Sequence, residues 1–246
     1  MNIFFIGLFI FHQGVDFEEL YNKATTSLVK FQAVKDSAMA RFIELSQDSL
    51  LKDTTLSFLV SKFDTKSAME RHTLKNMMKK IGKPAIPYIV AKMDYRGSDE
   101  ECRSLKESLW ILGEIGAEEI IEPVSRFIND SLWQIRSGSF TALGKTKSRR
   151  ALKYIIKGLN DTIASVRKSA YYALSQVVTE EEVDYLIRGL SDPFYGVRYN
   201  AVEGLRKVGK PAIKRLINGL GRNWKEDYFI ALALKEIGAK RPLNTL

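Results

Sequence analysis

Apolar residues recur along most of this chain at the spacing of one face of a helix. Val166, Ala170, Ala173, Leu174 and Val177 fall at i, i+4, i+7, i+8 and i+11, the periodicity of a 3.6-residue helix. The pattern returns as Val197, Ala201, Leu205 and Val208, and it is preceded by Ile135, Ala142 and Leu143 at the same places. Shorter apolar segments alternate with these. Tyr154-Ile155-Ile156-Lys157-Gly158-Leu159 matches Tyr185-Leu186-Ile187-Arg188-Gly189-Leu190 and then Arg215-Leu216-Ile217-Asn218-Gly219-Leu220. The predicted unit is helix, tight turn, helix, with nothing that reads as a strand.

The units repeat in register. Gly82-Lys83-Pro84-Ala85-Ile86 returns 127 residues later as Gly209-Lys210-Pro211-Ala212-Ile213. That interval holds one repeat of 34 residues and three of 31, with closing steps at Ile81, Ile115, Thr146, Val177 and Val208, and a further one at Ile237. Sixteen residues before a step stands an acid (Asp99, Asp130, Asp161, Asp192), and ten before it an arginine (Arg71, Arg136, Arg167, Arg198). Self-similarity at such a period is the mark of a solenoid, in which each supersecondary unit buries its apolar face against its neighbours. Pro84 and Pro211 suit the first turn of the shorter helix. Gly158, Gly189 and Gly219 suit its end, as a helix stop or a close helix approach. Asn160-Asp161 and Ser191-Asp192 offer turn and N-cap chemistry before the longer helix.

The Asp–Arg spacing, the segments SVRKSAYYAL and GVRYNAVEGL, and the Ile-Gly closing step resemble the HEAT repeat, in its short, phycobilisome-lyase-like variety. The resemblance covers about residues 63–246. It implies an all-α fold, an α-solenoid of stacked antiparallel helix pairs wound as a right-handed superhelix, with second helices lining a concave face. It also implies a structural ladder between neighbouring units, made by Asp130, Asp161 and Asp192 with Arg136, Arg167 and Arg198. The pattern departs at Leu105, where an arginine is expected, and at Gly221 and Asp227, which replace the aspartate and arginine of the last unit. Terminal units of solenoids are commonly atypical.

Upstream, Phe17, Leu20, Ala24, Leu28, Phe31 and Val34 continue a helical spacing through Ala38, Phe42 and Leu45. Residues 15–62 are therefore expected to form a helical cap of one long helix or two, followed by the array at 63–246. Residues 3–11 are an apolar run too short to span a membrane. Within residues 1–14 they match the core of a secretory signal peptide, so export is expected, with a mature start near Val15. The alternative is an apolar N-terminal segment packed on the chain, in a cytoplasmic protein.

Composition narrows the chemistry. One cysteine, Cys102, excludes an internal disulfide framework, and with only His12 and His72 the chain is poor in metal ligands. No nucleophile-elbow, zincin or phosphate-loop motif is present. No catalytic residue, cofactor or metal is expected. Charge is split unevenly: residues 126–246 hold 22 Lys+Arg and 11 Asp+Glu, against 16 and 18 in residues 1–125. A basic half makes an anionic partner, nucleic acid or acidic protein, a live alternative. HEAT-like alkylpurine DNA glycosylases also use tryptophans, and this chain has Trp110, Trp133 and Trp224. No catalytic aspartate of theirs can be matched here. With core and ladder positions removed, the second helices present Trp110, Phe140, Lys168, Tyr171, Tyr172, Tyr199 and Arg206 as candidate partner-binding residues. The expected function is a non-enzymatic scaffold that holds a protein partner along its concave face.

Overall fold

A computed structural model describes residues 14–238 except Asp99 and Arg222. The apolar run at 3–11 and the first of the in-register aspartates, Asp99, lie outside the described residues. All regular structure among those residues is helical. No helix there is long and apolar enough to cross a membrane. The chain divides into two compact units at Ile111–Leu112.

The first unit contains α1 (Phe17–Ala24), α2 (Gln32–Leu45), α3 (Lys52–Ser61), α4 (Ala68–Ile81), α5 (Ile86–Lys92) and the start of α6 (Arg103–Ile115). The expected one or two cap helices are three. Asp16 caps α1 by accepting the Glu19 N–H at 2.9 Å, and the chain then leaves the helix at Thr25. Leu28, Phe31 and Val34, which the periodicity placed on the core face, are exposed. The buried centre is instead aromatic, with the Phe17 and Phe42 rings set against Phe58 at 5.4 and 6.0 Å. Ser67 caps α4. The helix stops at Gly82, whose φ of +74° is open to a residue without Cβ. Pro84 then starts the next short helix in a 3-10 turn.

The second unit continues with α7 (Ile121–Ser125), α8 (Trp133–Lys145), α9 (Leu152–Ile155), α10 (Ala164–Val177), α11 (Val183–Gly189), α12 (Tyr195–Val208), α13 (Ile213–Asn218) and α14 (Trp224–Gly238). Each short helix is entered through a 3-10 turn, as at Glu118–Ile120, Arg149–Ala151, Glu180–Glu182 and Lys210–Ala212. The periodic residues are the core: Val166, Ala170, Ala173, Leu174, Val197, Ala201 and Leu205 are all buried. The closing steps fall within a residue of the end of α4, α6, α8, α10, α12 and α14.

The aspartates do not cap the long helices. Leu132, Ile163 and Phe194 occupy the N-cap positions, without side-chain bonds. Asp130, Asp161 and Asp192 each accept the N–H two residues on, at 2.8–2.9 Å. They close an Asx turn just before the helix. That leaves the second carboxylate oxygen for another partner.

Candidate functional site

For Asp161 and Asp192 the other partner is an arginine of the preceding repeat. Arg136 donates from Nε and Nη2 to both oxygens of Asp161 at 2.7 and 3.0 Å. Arg167 does the same to Asp192 at 2.7 and 3.0 Å. Each guanidinium also anchors its own turn. Nη1 of Arg136 reaches the carbonyls of Asp130 and Ser131 at 2.8 and 3.2 Å, and Nη1 of Arg167 those of Asp161 and Thr162 at the same distances. Bidentate pairing of this kind fixes direction as well as charge. Burial alone would raise the Asp161 pKa, but the bonds from Arg136 and the Ile163 N–H outweigh it and hold the carboxyl below its usual range. In the first unit Arg71 donates to the Thr65 and Lys66 carbonyls at 3.1 and 2.8 Å, and its Nε stands 3.6 Å from Glu107.

The candidate binding residues separate into three groups. Phe140 and Tyr171 are 1% and 2% exposed, so they offer no surface to a partner. Their rings lie on Gly158 and Gly189, where a Cβ would come within 2.4 and 2.3 Å of ring carbons. The Tyr171 hydroxyl donates to the Tyr185 carbonyl at 3.2 Å, and burial pushes the phenol up to about 12. The expected aromatic strip through these two side chains is core packing, a correction with a plain steric cause. Tyr172 and Arg206 are half-buried, and Arg206 is paired with Glu203 one turn back in its own helix at 2.9 Å. Lys168 and Tyr199 are exposed. Trp110, in the first unit, is 40% exposed with Lys75 Nζ 4.7 Å from its ring centre.

A different strip is present. Trp133, Ala164, Tyr195 and Trp224 open α8, α10, α12 and α14 at one repeat position. Ser137, Lys168, Tyr199 and Tyr228 follow one turn later. Trp133, Tyr195, Tyr199, Trp224 and Tyr228 are 41%, 59%, 47%, 76% and 61% exposed. The Tyr195 ring stacks on Tyr199 at 6.3 Å and meets Phe229 edge-on at 5.9 Å, and Tyr228 meets Phe229 at 5.2 Å. Large aromatics left in water in repeat register carry little conformational entropy into an interface. The signal for Tyr195, Trp224 and Tyr228 lay in the repeat register itself, within one turn of the arginine column.

Stacked antiparallel helix pairs cross-linked by arginine and aspartate define an α-solenoid. The family model described as HEAT repeats matches residues 95–175, so that part of the chain is built of HEAT repeats. The structure described as Kap95p binding that induces the switch loops of RanGDP is similar to this chain, with a TM-score of 0.59 and 12% identity over 93% of this chain and 36% of that one. The Kap95:Nup1 complex gives a TM-score of 0.59 and 12% identity, covering 92% of this chain and 36% of that one. This chain thus spans about a third of the length of those proteins, and at that identity the likeness concerns the fold alone. None of the curated proteins matches the chain.

Proposed function

We propose that this chain is a non-enzymatic scaffold whose second helices, from α8 to α14, hold a protein partner on their exposed face. The observation that carries the reading is the repeat-register row of exposed aromatics, Tyr195, Tyr199, Trp224 and Tyr228. Interface energy concentrates in such side chains when they are desolvated. The Kap95p structures, whose descriptions name RanGDP and Nup1 as companions, are consistent with that use of a helical repeat fold.

The test is cross-linking and capture by the full chain in its native extract, compared between variants. Tyr199→Ala and Tyr228→Ala should each lose the proteins captured by the wild type, at an unchanged helical circular dichroism spectrum. Lys214→Ala, on the exposed side of α13, should keep them. Loss in all three variants, or in none, would remove the aromatic row from the interface. A second reading follows from the surplus of Lys+Arg in residues 126–246, which suits a phosphate polymer. Retention on heparin that collapses between about 50 and 200 mM salt would favour it.

A further inference from the structure

The repeats themselves show what a ladder arginine holds. At Arg136 and Arg167 the Nε–Nη2 edge is filled by the carboxylate of the following unit. Arg198 keeps only half of that arrangement. Its Nη1 donates to the carbonyls of its own turn, Asp192 and Pro193, at 2.5 and 2.9 Å. The position equivalent to Asp192 in the last unit is Gly221, and Asp227 spends its Oδ1 on the Gly221 N–H at 2.9 Å. Asp192 itself is already held by Arg167. Among the described residues no carboxylate pairs with Arg198, and its Nε is buried without a hydrogen-bond partner. Such an omission is costly unless something supplies the acceptor.

The surroundings keep the fork in place without satisfying it. The guanidinium carbon sits 4.8 Å from the Phe229 ring centre and 5.8 Å from that of Tyr195. Tyr195 is held by ring contacts and is more than half exposed. Tyr199 stacks on Tyr195 and Tyr228 meets Phe229 edge-on, and both are exposed.

We propose that the unfilled Nε–Nη2 edge of Arg198, reached when the exposed Tyr195 ring moves aside, is a carboxylate-binding site for an Asp or Glu side chain of an extended, acidic protein segment, with the neighbouring tyrosines covering its apolar flanks. This rests on the reading of the face as a protein-binding surface and adds the chemistry that selects the partner. A carboxylate is favoured over a phosphate because the same turn, twice in this chain, is closed by one.

The test uses the full chain and two short fluorescein-labelled peptides. One alternates Asp and Glu with Phe and Leu; its twin carries Asn and Gln instead. In anisotropy titrations the acidic peptide should bind at least about tenfold more tightly, because a charge-assisted bidentate pair is roughly twice as strong as a neutral one. Arg198→Gln should bring the ratio of the two affinities to about one. Arg198→Lys, which keeps charge without the fork, should lower that ratio and decides the matter alone if the glutamine variant fails to fold. Lys225→Gln, an equal change of net charge, should leave it. Tyr228→Ala should weaken both peptides alike. If it weakens neither while Arg198 still discriminates, the aromatic surface fails and the carboxylate site stands. Equal binding of the two peptides, no binding of either at millimolar concentration, or an undiminished ratio in both Arg198 variants would overturn the proposal. So would a single-stranded DNA oligonucleotide that binds more tightly and displaces the acidic peptide.

Discussion

At Gly158 and Gly189 a single hydrogen atom decides the fate of an aromatic ring. The Phe140 and Tyr171 rings occupy the space that a Cβ would need, so the glycines recur to let the rings in. Gly158→Ala and Gly189→Ala should each destabilise the protein by about 1–3 kcal/mol through overpacking, measured by urea unfolding. Combining Gly189→Ala with Tyr171→Leu should recover part of that loss, because the two changes share one cavity and are not additive. Phe140→Ala and Tyr171→Ala should cost about 3–5 kcal/mol, the scale of a core truncation. The helical pattern could not separate these positions from Ser137 and Lys168, which lie one turn away on the same helices. What separates them is the glycine eighteen residues downstream, on another helix. A one-dimensional periodicity does not carry that contact. Of the exposed row, Tyr199 was legible directly, whereas Tyr195, Trp224 and Tyr228 were legible only as a repeat column, since an aromatic in a helix reads first as core.

At the scale of the elements, the turns between helices bear the specific polar structure. The period, the helix ends and the Asp–Arg spacing were readable from the sequence because a solenoid writes the same unit several times. The geometry of each turn was less so. The acidic run Glu180–Glu182 reads as dipole chemistry at a helix start, yet Glu182 is 4% exposed. It accepts the Thr179 N–H at 2.8 Å in a capping box and binds Arg149 through both oxygens at 2.9 and 3.0 Å. Burial would raise its pKa, but the Arg149 and Thr179 bonds prevail and lower it. A carboxyl depressed in the folded state adds stability above its unfolded pKa, near 4.3, and loses it as pH falls through the folded value. Glu182 and Asp161 share that sign. The melting temperature should therefore drop steeply below about pH 4. Glu182→Gln should be less stable by about 1–3 kcal/mol at neutral pH and show a shallower acid slope. An unchanged slope would mean that Glu182 does not titrate with folding. In the ladder, Arg167→Ala should cost about 1–3 kcal/mol by stranding Asp192, against less than about 0.5 for Lys168→Ala. Equal melting temperatures would deny the ladder a structural role.

At the scale of the molecule, the surplus of positive charge in residues 126–246 is not spread evenly. The short helices and their turns alternate in sign: acidic at 118–122, basic at 149–153, acidic at 180–184, basic at 210–215. Pairs join the blocks. Arg150 stands 3.4 Å from Glu118, Lys153 3.6 Å from Glu122, and Arg215 donates to the Glu180 carbonyl at 3.0 Å. Exposed pairs of this kind add little each, but a wrong stacking order would set like charges together. Neighbouring repeats of the second unit thus touch through the buried seam and the alternating blocks, and those of α8, α10 and α12 also through the ladder. In such an array stability is approximately a sum of repeat and nearest-neighbour terms, so one weakened interface divides the chain into parts that open separately. Arg167→Ala cuts the ladder between the repeat of α9 and α10 and the one of α11 and α12. In native-state hydrogen exchange, α11 to α14 should lose protection well before α8 and α9. The wild type should show a smaller difference between the two groups. A uniform loss from α7 to α14 would mean that this half opens as one block, and that the ladder stabilises it without dividing it.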